Sequence, residues 1–259
     1  MRTRWILLAA LPLLLAVACQ TTPITGRSQL IMMSAEEEAQ MGAQAYAEVL
    51  KKSKPSTSAT SRDQVTRVGR RIAAAAERPD FKWEFNVIED PQVNAFCLPG
   101  GKIAVYTGIL PVTRDDAGLA AVLGHEVAHA TARHGAERVT QQMMVTGALT
   151  VAQVGLGASM KDPALAQQIT GLLGAGAAVG LILPWGRSQE SEADHLGLVY
   201  MAKAGYHPQA SRDLWVRMAE LSRGGSRTPE FLSTHPSHET RIRQIEEWTP
   251  EALKYYRPQ

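Results

Sequence analysis

The sequence predicts an α+β fold, mostly helical, with one small sheet. Three observations carry that prediction. Apolar residues recur at helical spacing after residue 34, as in Val65, Val68, Ile72 and Ala76, and again in Leu119, Val122, Leu123 and Val127. Lys82 to Glu89 alternates, with Trp83, Phe85 and Val87 on one side and Glu84 and Asn86 on the other, as a half-buried strand does. VNAFC and KIAVY flank LPGG, the pattern of a tight strand pair.

Taken in order, Met1 to Ala18 predicts a lipoprotein signal peptide. Arg2 and Arg4 precede an apolar run from Trp5 to Val17 that is too short for a stable span. Leu15 to Cys19 resembles a bacterial lipobox, which implies an acylated Cys19 and membrane attachment through it. Gln20 in the next position then implies the periplasmic face of the outer membrane. Residues 19–33 lack periodicity and predict a lipid-anchored tether. Ser34, followed by Glu37, is a capping-box pattern and starts a helix running to about Leu50. The polar stretch Lys51 to Ser61 connects it to the helix bearing Val65 and Ile72. Pro79-Asp80 ends that helix ahead of the strand and the strand pair.

Asp115 and Asp116 cap the next helix, expected to continue to about Gln142. Met143 to Trp185 contains only Lys161 and Asp162 as charges, and its two uncharged segments predict helices packed over the domain rather than membrane spans. Helices are expected over Gln189 to Ala204, Pro208 to Ser222 and His238 to Trp248. Residues 34–259 thus form one domain. Cys97 has no disulfide partner once Cys19 is acylated, and reads as a small buried strand residue.

The charge balance excludes one broad class. Net charge is +2, and without Arg2 and Arg4 the chain has 25 basic against 25 acidic residues. No basic stripe or aromatic–basic interleaving suggests nucleic acid as a partner.

The chemistry is concentrated in LGHEVAHATARHG, Leu123 to Gly135. His125-Glu126-Val127-Ala128-His129 is an HExxH pattern. At about 100° per residue, i and i+4 lie about 40° apart, so both imidazoles leave one helix face one turn apart and reach one metal ion. Glu126 flanks that ion without joining its ligands, where it can take a proton from the attacking water. Gly124, Ala128 and Ala132 beside the motif would let another backbone approach closely.

A hydrolytic zinc site needs a third protein ligand. His134, Glu137, Glu190, Glu192, Asp194, His195, His235 and His238 are the candidates. His134, about 140° around the helix from His129, should point away, and Glu192, about 200° from Glu190, should face solvent. Glu190 and Asp194 share a face, so one could bind metal while the other orients a ligand imidazole. Spacing alone leaves the choice open.

HEVAH, then GRSQESEAD, then THPSHETR, together with NAFCLPGG and ARHGAE, resemble the HtpX, BepA, LoiP and Oma group of membrane-associated zinc metallopeptidases. The likeness runs from about Ser34 to Trp248. It implies a gluzincin domain with its sheet beside the HExxH helix and one Zn2+ per chain. The implied ligands are His125, His129 and Glu190, with Glu126 as general base and Asp194 orienting a ligand. His235 and Arg241 match the group's HPxxxxR element. They are candidates for substrate or regulatory roles, with Arg241 at the substrate or oxyanion and His235 in a fourth ligand position at rest. Asn94 begins the edge strand that a peptide could extend.

The implied function is endoproteolysis of unfolded or misassembled proteins of the bacterial envelope. The alternative is a non-proteolytic chaperone using the same groove. Oligomeric state is left open.

Overall fold

The structure, a computed structural model, describes residues 19–159, 183–224, 229–235 and 239–258. Its centre is a helix buried on every side, α4, and the other elements are arranged around it. In chain order they are β1 (Cys19–Thr21), β2 (Ser28–Leu30), α1 (Ala35–Lys52), α2 (Ala59–Ala75), β3 (Glu84–Ile88), β4 (Ala95–Leu98) and β5 (Lys102–Tyr106). These are followed by α3 (Leu110–Thr113), α4 (Asp116–Thr131), α5 (His134–Ser159), α6 (Leu183–Lys203), α7 (Gln209–Gly224), α8 (Glu230–Thr234) and α9 (Glu239–Ala252).

The helix starts follow local chemistry. Ser34 Oγ accepts from the Glu37 amide at 3.2 Å and Glu37 Oε2 accepts from the Ser34 amide at 2.9 Å, closing the expected capping box. Asp115 accepts from the Gly118 amide at 2.8 Å and starts α4. Val65, Val68 and Ile72 of α2 are fully buried, as their spacing predicts.

In the sheet, β5 is central, parallel to β3 and antiparallel to β4. The strand pair turns through Gly100 and Gly101 at φ 79° and 85°, a region L side chains rarely adopt. Among the described residues β4 pairs only with β5, which leaves its other edge open. Cys97 is buried on β4 with a free thiol. Burial, and then the Glu126 charge, push that thiol well above its ordinary pKa.

Small residues set the closest helix contact. A Cβ on Gly124 would lie 2.9 Å from the Gly197 carbonyl oxygen, and one on Gly197 would lie 3.0 Å from the His125 nitrogen. α4 and α6 therefore touch backbone to backbone directly beside His125. Gly124→Val is expected to cost at least about 2 kcal/mol by overpacking. Gly135→Ala, where a Cβ meets nothing within 4 Å, is expected to be neutral. Urea unfolding of both variants checks this; equal midpoints would remove the argument for close approach.

Three expectations differ from the structure. First, residues 19–33 were expected to be a structureless tether; they carry the antiparallel hairpin β1–β2, with Gln29 and Ile31 buried. Short strands paired through long-range side-chain contacts leave no periodicity to read. Second, the helix expected to reach Gln142 stops at Thr131. Ala132 caps it, Arg133 takes φ 57°, and α5 restarts at His134. Arg133 is held in that conformation by Glu38 Oε2 and Gln20 Oε1, both at 2.6 Å, and by the Met33 carbonyl at 2.8 Å. Third, α6 starts at Leu183, ahead of Gln189, with Pro184 in its first turn where a missing N–H costs nothing. The first expected helix over Met143 to Trp185 is the second half of α5. The second lies mostly outside the described residues. No described helix is long and apolar enough to cross a membrane.

Candidate metal centre

α4, α6 and the residue following α8 bring four side chains together. His125, His129, Glu190 and His235 each offer one ligand atom, all within 4.8 Å of one another. His125 Nε2 lies 3.1 Å from His129 Nε2 and 3.1 Å from His235 Nδ1. Glu190 Oε2 lies 3.3 Å from His125 Nε2 and 2.9 Å from His235 Nδ1, and Glu190 Oε1 lies 3.3 Å from His129 Nε2. A tetrahedral ion with bonds of about 2.0–2.1 Å separates its ligands by about 3.3–3.4 Å. The four atoms therefore fit a single cation, and imidazole with carboxylate suits a transition-metal ion.

The i, i+4 geometry of α4 aims the two histidines as the HExxH spacing requires. Packing of α6 across Gly124 and Gly197 brings Glu190 to meet them. Asp194, one turn on from Glu190, is 3.0 Å from His125 Nδ1. A proton shared there sits on Nδ1, which leaves Nε2 with its lone pair facing the cluster. Arg241 of α9 is buried behind this pair. Its Nε and Nη2 both donate to Asp194, the latter at 2.8 Å, and Nη1 is 3.3 Å from Glu190 Oε2. Its guanidinium also lies 3.6 Å from the centroid of the Trp215 ring. Burial works to raise the Asp194 carboxyl, but the Arg241 charge and the His125 hydrogen bond overcome it and hold the group below its ordinary range.

Glu126 is buried beside the cluster. Its Oε1 makes no hydrogen bond among the described residues, although His235 Nε2 is 3.3 Å away.

The other sequence candidates fall into two groups. His195 is turned outward, stacked on Trp248 and 3.1 Å from Glu251. Asn94 stands at the start of β4 with its side chain accepting from the neighbouring Ala95 amide at 2.9 Å. His238 is outside the described residues. Arg241, expected near substrate, has its guanidinium against Asp194, Glu190, the Trp215 ring and His125, with Nη2 3.0 Å from His125 Nδ1 and 3.1 Å from Nε2.

Two further expectations are reversed. His134, expected to point away, is buried with Nδ1 2.9 Å from His129 Nδ1. His134 would point away on one continuous helix, but the break at Arg133 swings it back. Glu192, expected in solvent, is buried under the β1–β2 hairpin and is 3.1 Å from His134 Nε2. No local pattern announced that the hairpin covers this face. The only sequence signal was the presence of three acidic residues, Glu190, Glu192 and Asp194, within five positions of one helix.

A mostly helical domain with a small sheet, an HExxH helix and a carboxylate from a second helix is the architecture of a metallopeptidase. The chain belongs to peptidase family M48, whose profile matches residues 59–249. It is 41% identical over 234 residues to a mitochondrial metalloendopeptidase OMA1 of Schizosaccharomyces pombe, covering 89% of this chain and 66% of that one. It is 34% identical over 270 residues to the mitochondrial metalloendopeptidase OMA1 of Danio rerio, covering 98% and 56%. It is 33% identical over 181 residues to a putative beta-barrel assembly-enhancing protease of Vibrio cholerae, covering 70% and 37%. The chain thus spans between about a third and two thirds of the length of these relatives.

These likenesses correct the expected location. The leader and the lipobox-like Cys19 predict the periplasmic face of a bacterial outer membrane, but the relatives with the higher identities are mitochondrial. The physical reason is that a basic start followed by a short apolar run is a generic targeting pattern that does not specify the compartment.

Proposed function

We propose that this chain is a zinc-dependent endopeptidase that cuts internal peptide bonds of unfolded or misassembled proteins. The observation that carries this reading is the convergence of His125, His129 and Glu190 with the buried, undonated oxygen of Glu126 at their edge. When bound, zinc would polarise the scissile carbonyl and make water acidic enough to deprotonate near neutral pH. His125 and His129 supply neutral imidazole lone pairs and Glu190 a carboxylate, and Asp194 keeps the His125 proton on Nδ1. Glu126 accepts the proton of the attacking water and passes it to the departing amine.

The open edge of β4 supports a substrate class. An extended segment could add there by main-chain hydrogen bonds, which read no particular side chain. That favours unfolded segments over folded surfaces. Attachment to a membrane through the N-terminal segment belongs to the same proposal.

The experiment is digestion of one protein in its native form and in its reduced, alkylated form, with the fragments read by mass spectrometry. Internal cuts confined to the unfolded form are expected. Trimming from the termini only, or equal cleavage of both forms, would sink the reading.

His235 has the position of a fourth ligand, with Nδ1 2.9 Å from Glu190 and 3.1 Å from His125 Nε2. In that position it would exclude the substrate carbonyl, as a resting arrangement requires. His235→Ala is expected to raise basal cleavage of an unfolded protein severalfold. Unchanged or lower cleavage by that variant, with zinc still bound, would remove the resting-state role.

A further inference from the structure

The β1–β2 hairpin reaches the metal centre through a chain of hydrogen bonds. Thr22 Oγ1 donates to Glu192 Oε1 at 2.6 Å, and Thr25 Oγ1 donates to the same oxygen. Arg27 Nε donates to Glu192 Oε2 at 2.8 Å, while its Nη1 and Nη2 fork onto both oxygens of Glu137 at 2.7 and 2.8 Å. Gln189, next to Glu190, donates to Glu137 Oε2 at 2.7 Å. Glu192 Oε2 also meets His134 Nε2 at 3.1 Å, and His134 Nδ1 meets His129 Nδ1 at 2.9 Å.

The protons in this chain can be placed in only one way that leaves His129 able to ligate. Glu192 is surrounded by donors and can only accept, so the His134 proton sits on Nε2. His129 Nδ1 and His134 Nδ1, 2.9 Å apart, can share only one proton, and if it sat on His134 the His129 proton would occupy Nε2 and block ligation. A neutral His134 with its proton on Nε2 presents a lone pair at Nδ1. His129 must then carry its own proton on Nδ1, which leaves the Nε2 lone pair facing His125 and Glu190. His125 obtains the same tautomer directly from Asp194.

We propose that His134 and Glu192 are positioning residues for the zinc ligand His129, and that the N-terminal hairpin, through Arg27, locks them in place. The hairpin is therefore part of the metal centre and not merely a connection to it. Any force or attachment acting on residues 19–30 would be felt at His129, since hairpin and ligand are separated by two side chains.

This inference rests on the zinc reading of the site, and the test keeps the two apart. Zinc affinity is measured on the full chain by competition with a chromogenic chelator, alongside the melting temperature of the metal-free protein. His134→Phe keeps volume but cannot accept from His129, and is expected to weaken zinc binding about 10- to 100-fold. His134→Gln, whose carbonyl oxygen can still accept, is expected to recover most of that loss while melting no higher than the Phe variant. Arg27→Met is expected to weaken binding severalfold. Zinc binding by the Phe variant equal to that of the unaltered chain would overturn the inference, as would Phe and Gln variants weakened alike. Failure of the unaltered chain to bind zinc would instead remove the zinc reading itself, and this inference with it.

Discussion

Glu126→Gln is expected to lower cleavage of an unfolded protein by about 10²- to 10⁴-fold, the usual worth of a positioned general base. The substitution preserves shape and removes only the ability to take a proton. Glu126 sits one residue after His125 on a helix whose backbone is fixed by the Gly124–Gly197 contact, so the amide will occupy the same place. Its Oε1 makes no hydrogen bond among the described residues, and His235 Nε2 lies 3.3 Å from it. It also stands outside the set of four potential ligands, so zinc affinity should stay within a few-fold. Cleavage unchanged in the variant would dismiss Glu126 as the base. Loss of cleavage together with loss of zinc would reassign it as a ligand.

Arg241→Met is expected to give the largest stability loss of any substitution around the centre. Arg241 and Asp194 are about 4% and 3% exposed, and Arg241 shares Asp194 with His125, whose Nδ1 lies 3.0 Å away. Removing Arg241 leaves the buried Asp194 carboxylate facing His125 without its guanidinium partner, at a cost of about 3 kcal/mol. Contact with the Trp215 ring is lost as well. Arg241→Lys should recover little, because an ammonium cannot fork onto Asp194 while reaching Glu190. Denaturant unfolding of the metal-free protein reads the effect without interference from zinc. A loss under about 1 kcal/mol for Arg241→Met would mean that Asp194 is stabilised by something other than this pair.

Much of the fold was legible because it is written locally. The capping box at Ser34, the buried stripe of α2, the strand pair around Gly100-Gly101 and the two-histidine face of α4 depend on residues within a few positions of one another. Gly124 also signalled a close approach, and α6 is the element that makes it. Spacing placed Glu190 and Asp194 on one face but did not say which one binds; the resemblance did. What escaped the sequence depends on distant partners. Arg133 takes a left-handed conformation because Glu38, Gln20 and Met33 receive its guanidinium, and no neighbour in the sequence predicts that. The consequence is large, since this break aims His134 at His129. Glu192 is buried for a similar reason: three residues of a hairpin some 165–170 positions away close over it. Helical angle arguments are sound only as far as the helix extends.

The central claim is that catalysis depends on one cation held by His125, His129 and Glu190. Its most direct test is cleavage of an unfolded protein by the full chain, measured before chelation, after removal of metal, and during titration with zinc. Cleavage is expected to disappear with the metal and to return fully at one equivalent of zinc per chain. Cleavage that persists in the metal-free protein, or that does not return although one equivalent has bound, would contradict that claim.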